Sequence, residues 1–266
     1  MHIYETNCNY EVSTMLFIRS LLFNIVGYTA IALGCITNSI LGLFSRKATM
    51  KTWNNIFLPA VAIALRYIAG TKIEIRGRQY IDQENGIYAG KHQSAVETYV
   101  LTTILKRASM VMKKELTYIP IFGWAQAFYG LIPIDRSAGS AAMKNMLRNA
   151  KKMIENKRPI IIFPEGTRRK PGQEPAYKPG VALLYQHLNQ PVIPIATNTG
   201  FFWAKNSFLR YPGKIIFEFL PPITPGLNKQ EFMEKLQNTI EEKCNELNME
   251  TIKEYPELQK MLYQKG

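Results

Sequence analysis

The chain has 266 residues, 47% hydrophobic and 20% charged, with 33 lysines and arginines against 20 aspartates and glutamates. This composition supports a sizeable buried core and argues against a disordered chain. The formal net charge of +13 points to anionic partners: nucleic acid, phosphate-bearing substrates or an acidic membrane leaflet. Charge alone does not choose among them. Cys8, Cys35 and Cys244 are far apart with no CxxC pair, and His2, His92 and His187 show no HExxH or HxH spacing. The expectation is therefore no metal site, no disulfide framework and a reducing compartment.

Residues 21–44, LLFNIVGYTAIALGCITNSILGLF, carry no charge, and about 20 apolar residues suffice to cross a bilayer core. Asn24, Thr29, Thr37, Asn38 and Ser39 dilute the run, while Arg46, Lys47 and Lys51 follow it. If it spans, those basic residues put the rest of the chain on the cytoplasmic side. The run is too long for the apolar region of a cleaved leader, and no AxA site follows it. A second apolar patch, residues 56–65, is too short to span. It fits either an interfacial helix flanked by Trp53, Arg66 and Tyr67 or a helix packed on the core.

From Lys72 onward, strand and helix patterns alternate. KIEIRG (72–77) alternates with period two, and GIYAGK (86–91) is a short strand leading into a helix near Ser94. Further strands are expected within 108–116, 129–136, 159–166, 191–197 and 214–223. Helices are expected over 140–156, 181–188 and 229–247, the last of them amphipathic. Repeated strand–helix alternation predicts an α/β fold, a mostly parallel sheet flanked by helices, with N-terminal apolar membrane-anchoring helices. The implied organisation is a membrane-associated helical segment at 1–70, an α/β domain at 71–250 and a tail at 251–266.

In such sheets reactive groups gather beyond the carboxyl ends of strands. His92, Asp135–Arg136 and the Glu165–Arg168 segment all fall there. His92 and Glu97 are five residues apart and do not share a face of an ideal helix. They can meet if His92 lies in the turn before a helix and Glu97 in its first turns. The carboxylate would then orient Nδ1 and leave Nε2 free as a base. Taken alone, such a pair equally fits ordinary core or surface roles. The segment FPEGTR (163–168) closes an apolar strand with Gly166 at a turn and Arg168, Arg169 and Lys170 after it. It suits phosphate binding by a guanidinium, or a polar turn with a solvated basic run. The sequence GLIPIDR (130–136) ends another strand in Asp135 and Arg136, which also suits a surface ion pair of small energetic weight.

In this order and spacing, these segments resemble the 1-acyl-sn-glycerol-3-phosphate (lysophosphatidic acid) acyltransferase family of the glycerolipid acyltransferase superfamily. The family's His-x4-Asp block is matched by His92-Gln93-Ser94 with Glu97. Its Gly-x-apolar-x-Ile-Asp-Arg block is matched by 130–136, its Phe-Pro-Glu-Gly-Thr-Arg block at every position by 163–168, and its apolar-Pro-apolar block by 193–195. Lys113-Lys114-Glu115-Leu116 also looks like the family, and the resemblance covers residues 72–220. In two places the chain departs from the pattern: Glu97 stands for the family's aspartate and Lys91 for its preceding asparagine. Glutamate is one methylene longer, so its carboxylate must fold back or the turn must open.

The resemblance implies acyl transfer from a thioester, acyl-CoA or acyl carrier protein, to the sn-2 hydroxyl of lysophosphatidic acid, giving phosphatidic acid with no cofactor. It makes His92 and Glu97 the catalytic pair. Lys113, Arg136 and Arg168 are the candidates for the acceptor phosphate, with Glu165, Gly166 and Thr167 shaping the substrate site. The implied partners are the two substrates and membrane lipids, with acyl carrier protein as one donor. The implied location is the cytoplasmic face of a membrane, the inner one if the source is bacterial. No nucleic-acid motif accompanies the charge, so nucleic acid is not an expected partner. An acyltransferase for another lysophospholipid or glycerol 3-phosphate would share these blocks. A non-catalytic basic membrane-binding protein is the alternative outside the class.

Overall fold

Strands with an unbroken apolar run are buried on both faces, and these supply the centre of the sheet. In the computed structural model, which describes residues 13–82, 84–136 and 138–263, they are β2 (Ile87–Gly90), β5 (Ile160–Ile162) and β6 (Val192–Thr197), each buried throughout. His2, Glu5, Cys8 and Glu11 lie outside the described residues. Around this centre are β1 (Thr71–Arg76), β3 (Ser109–Lys113), β4 (Ile132–Ile134) and β7 (Gly213–Phe219), in the order β1-β7-β6-β2-β5-β3-β4. Register is set by pairs such as Ile87 with Ile160 and Val192.

The five strands β2 to β6 are parallel, so their carboxyl ends share one edge. β7 runs antiparallel to β6, and β1 lies parallel to β7. The connection from β6 to β7 carries only the short helix α8 (Thr199–Phe202). An antiparallel return needs no long crossover over a sheet face.

Side chains alternate strictly across the central strands. Ile87, Ala89, Ile160 and Ile162 face one core, closed by α6 (Gly139–Glu155), α7 (Gly180–Leu188) and α9 (Lys229–Glu254). Tyr88, Ile161 and Phe163 face the other, which α4 (Val96–Ile104) covers together with residues of the N-terminal helices. α9 starts from a capping box in which Asn228 Oδ1 accepts from Glu231 N–H and Glu231 reaches back to Asn228 N–H. The boundary read at residue 250 falls inside α9, whose buried stripe through Phe232, Leu236, Ile240 and Leu247 continues to Thr251. Leu258, beyond it, is fully buried in the second core.

α1 (Thr14–Gly42) is long and apolar enough to cross a membrane, yet it lies along the domain. Two of the residues that dilute its apolar run, Asn24 and Ser39, are docking contacts, as is Ser20 just before the run. Asn24 Nδ2 donates to the Phe208 carbonyl at 3.0 Å and Ser39 Oγ to the Ile121 carbonyl at 2.9 Å, while Ser20 Oγ accepts from Arg210 N–H at 2.9 Å. Its other face leaves Leu22, Ile25, Leu33 and Ile40 exposed. The patch at 56–65 packs one face on the domain and leaves the other outward. It belongs to a helical stretch with α2 (Arg46–Thr52) and α3 (Leu58–Ala64), joined and ended by the π-helical segments Trp53–Phe57 and Leu65–Ala69. Leu58, Val61 and Leu65 are buried, while Ile56, Ile63 and Tyr67 face outward. α5 (Phe122–Tyr129) packs against α1 and was not anticipated, because Pro120 and Gly123 interrupt the helical signal there.

Candidate active site

The end of β2 creates the first part of the site. Lys91 N–H extends the ladder to the Ile195 carbonyl at 3.0 Å, after which the chain leaves the sheet. The His92 carbonyl accepts from Arg169 N–H at 2.8 Å, tying this turn to the one after β5. Ser94 Oγ accepts from Val96 N–H at 3.2 Å as α4 begins, and Glu97 sits in the first turn. The helix dipole there favours a carboxylate.

From that position the Glu97 side chain folds back over the turn. Oε2 meets His92 Nδ1, while Oε1 accepts from Gln93 N–H and Ser94 N–H, both at 2.8 Å, and from the Thr199 hydroxyl. The extra methylene is thus absorbed by reaching back, not by opening the turn. Glu97 is fully buried and carries four donors on two oxygens. The His92 ring is further fixed by stacking on Phe163, with centroids 4.1 Å apart and planes 15° from parallel. With Nδ1 engaged, Nε2 is the ring atom left to work in the cavity that His92 lines.

The turn after β5 closes when Gly166 N–H donates to the Phe163 carbonyl at 2.9 Å, with Gly166 at φ 65°. A side chain there would be strained by its backbone and would abut the Arg136 guanidinium, 3.5 Å from an added Cβ. Arg136 from the end of β4 therefore lies against the 163–168 turn.

Beneath this turn is a buried ionic cluster. Lys91 Nζ donates to Glu165 Oε1 at 3.0 Å and to both oxygens of Glu241 at 2.8 Å, and Tyr177 Oη donates to Glu241 Oε1 at 3.0 Å. Arg169 Nε is 3.5 Å from Glu165 Oε1. Burial alone would pull the Lys91 ammonium down, but the two carboxylates outweigh it and hold it above its ordinary value. Burial pushes the Glu165 carboxyl up against the opposing pull of Lys91. Glu165 is thus a held group, with Lys91 and Arg169 as its cations.

These parts surround a cavity of about 680 Å³, within the range of small-molecule sites. His92, Lys113, Arg136, Glu165, Gly166, Thr167 and Arg168 all line it, as do Lys178 and Lys205. Apolar side chains also line it, among them Met110, Met112, Met143, Met146, Ile134 and Ile162. Lys113 is paired with Glu115 at 3.2 Å at the surface, and Asp135 pairs with Lys114 at 3.1 Å. Among the described residues, no group of three or more His, Cys, Asp or Glu side chains is placed to hold a metal ion.

An acyltransferase family model matches residues 72–198, the span from β1 to the end of β6. The 1-acyl-sn-glycerol-3-phosphate acyltransferase of Pseudomonas aeruginosa is 38% identical over 150 residues, 56% of this chain and 58% of that protein. The enzyme of the same name from Cocos nucifera is 28% identical over 214 residues, 80% of this chain and 67% of that protein. Over this domain the chain is similar to 1-acyl-sn-glycerol-3-phosphate acyltransferases. Its match spans less than two thirds of the length of the Pseudomonas relative. The crystal structure of the 1-acyl-sn-glycerophosphate acyltransferase from Thermotoga maritima shares the fold, with a TM-score of 0.70 at 20% identity over 86% of this chain and 96% of that one.

Against the family pattern, the residue that sequence reasoning left without a task is Lys91. It stands for the family's asparagine and is matched by Glu241, 150 residues away on α9. Thr199, Lys178 and Lys205 were also missed. Each reaches the site from outside the recognised blocks, and no local spacing marks them.

Proposed function

We propose that the chain transfers a fatty acyl group from an acyl thioester to the sn-2 hydroxyl of lysophosphatidic acid at a membrane surface. The observation that carries this reading is the His92–Glu97 pair opening on a cavity lined by both guanidinium groups and a cluster of methionines. Arg136 and Arg168 suit an acceptor phosphate, which a guanidinium can grip through paired N–H groups. Lys113 and Lys178 add charge at the rim. The flexible methionine cluster suits hydrocarbon chains.

The chemistry requires a single base. As the acceptor oxygen attacks the thioester carbonyl, its proton passes to His92 Nε2, and Glu97 stabilises the imidazolium so formed. The tetrahedral intermediate collapses with cleavage of the C–S bond. The departing thiolate has a conjugate acid near pKa ~8.5 and needs little help to leave, and protonated His92 can supply its proton. Glu165, Gly166 and Thr167 shape the acceptor side of the cavity. No cofactor enters the sequence of steps. Exposed Leu22, Ile25, Ile56, Ile63 and Tyr67 on the N-terminal helices provide a lipid-facing surface. With α1 bonded along its length to the domain, an interfacial seating on the cytoplasmic leaflet is the reading we adopt.

The test is to offer the purified chain labelled acyl-CoA, and in parallel the labelled acyl group on acyl carrier protein, with lysophosphatidic acid, other lysophospholipids and glycerol 3-phosphate. Preferential formation of phosphatidic acid is expected. A clear preference for another acceptor would overturn the acceptor assignment, and no transfer to any acceptor would overturn the reaction.

A further inference from the structure

Next to the His92 turn lies a second cavity, of about 440 Å³, to which the mechanism above assigns nothing. Lys170, Lys205 and Lys260 line it together with Gln93, and none of its lining residues is a carboxylate. Neither Lys170 nor Lys205 has an ion-pair partner among the described residues. Ammonium groups gathered on one concave surface favour an anion there.

Gln93 gives the independent observation. Its side chain is buried, with the residue 1% exposed. Gly200 N–H donates to Oε1 at 2.9 Å, which fixes the amide orientation and leaves Nε2 as the other end. That Nε2 is buried and has no hydrogen-bond partner among the described residues. An unused buried donor is costly and calls for an acceptor. The cavity floor is tight as well: a Cβ on Gly200 would come within 2.7 Å of Pro171 Cδ and 3.1 Å of Gln93 Cβ. Lys205 lines both this cavity and the one holding His92, so the two adjoin.

We propose that the second cavity binds a phosphate of the carrier to which the acyl group is attached. The inference rests on the thioester reading above. With the thioester at His92 and the hydrocarbon tail along the methionine cluster, the carrier's pantetheine arm must leave the reaction centre by another way. The adjoining cavity offers ammonium groups for the phosphate at the end of that arm, beside the buried, unpartnered Gln93 amide. Coenzyme A and acyl carrier protein share this phosphate, and coenzyme A adds those of its nucleotide.

The test uses the full chain carrying Lys170→Glu and Lys260→Glu, with Lys170→Arg and Lys260→Arg as the charge-conserving control. Coenzyme A binding is measured directly by calorimetry, alongside KM for each substrate. The charge-reversed pair is expected to weaken coenzyme A binding by about tenfold or more and to raise the acyl-CoA KM. The acceptor KM should stay unchanged and the arginine pair should bind as the original. Competition by 4′-phosphopantetheine alone assigns the phosphate common to both carriers, whereas competition requiring the 3′-phosphoadenosine portion assigns those of coenzyme A. Either result supports the proposal. Unchanged coenzyme A affinity in the charge-reversed pair, or a rise confined to the acceptor KM, overturns it. If the original chain is active and the pair binds coenzyme A as before, only this inference fails. If the original chain transfers nothing, the function itself fails whatever the binding shows.

Discussion

Replacing Glu97 by glutamine keeps the shape of the side chain and changes only which atoms donate and accept. Oε1 faces two backbone N–H groups and the Thr199 hydroxyl. A glutamine must put its single oxygen there, because its NH₂ cannot face two N–H donors. The NH₂ then points at His92 Nδ1 and makes that nitrogen an acceptor. The imidazole proton moves to Nε2, and the base is blocked. The nearest measured analogy, an orienting aspartate changed to asparagine in a serine protease, lost about 10⁴ in kcat. A loss of about 10³–10⁴-fold is expected here, or about 4–5.5 kcal/mol of barrier. The fold loses far less: three bonds survive with a neutral acceptor, a cost of about 1–3 kcal/mol. Initial rates with labelled acyl-CoA and lysophosphatidic acid, urea unfolding, and nitrogen NMR of the His92 tautomer measure the three quantities. Activity within about threefold of the original, with Nε2 protonated, would refute the orienting role and the base assignment with it.

The buried ionic cluster gives an ordered pair of expectations. Lys91→Met leaves Glu165 and Glu241 facing each other without their ammonium and should cost about 3–5 kcal/mol in urea unfolding. Glu241→Gln leaves Lys91 paired with Glu165 and should cost about 1–2 kcal/mol; the reverse order would contradict the assigned pairing. On the opposite side of α9, both Glu250 oxygens accept from Arg76, at 2.8 and 2.7 Å. Arg76 holds the Glu250 carboxyl below its ordinary value. A lowered folded-state value contributes stability that is complete above the unfolded value of about 4.3 and is lost as pH falls through the folded one. The Tm difference between the original and Glu250→Gln should therefore hold steady from about pH 8 to about pH 5 and close below about pH 4. A gap that widened on acidification would contradict the pairing.

What could be read from the chain followed from local chemistry. The run Ile160-Ile161-Ile162 ahead of FPEGTR marked a buried strand ending in a charged turn, and the alternation from Lys72 onward marked the parallel sheet. The His92–Glu97 meeting was foreseeable because a turn before a helix is the arrangement that lets residues five apart converge. The reversal of β7 and β1 was not foreseeable, because direction depends on which neighbour a strand finds and not on its own pattern. Lys91 looked like a mere departure from the family, since its second carboxylate, Glu241, comes from α9. Thr199 and Lys205 follow β6 in a segment without a motif, and they reach the site only because β6 pairs with β2. The alternation that identified strands carries no information about such pairings. The interruptions at Asn24 and Ser39 read as weaknesses in an apolar span, whereas they are where α1 bonds to the domain.

The central claim is that His92 removes the proton from the attacking hydroxyl. The most direct measurement is the rate of acyl transfer to lysophosphatidic acid by His92→Ala, with vesicle binding followed in parallel. A fall of about 10²–10⁴-fold in kcat is expected, with membrane association unchanged. Transfer within about threefold of the original rate would contradict it.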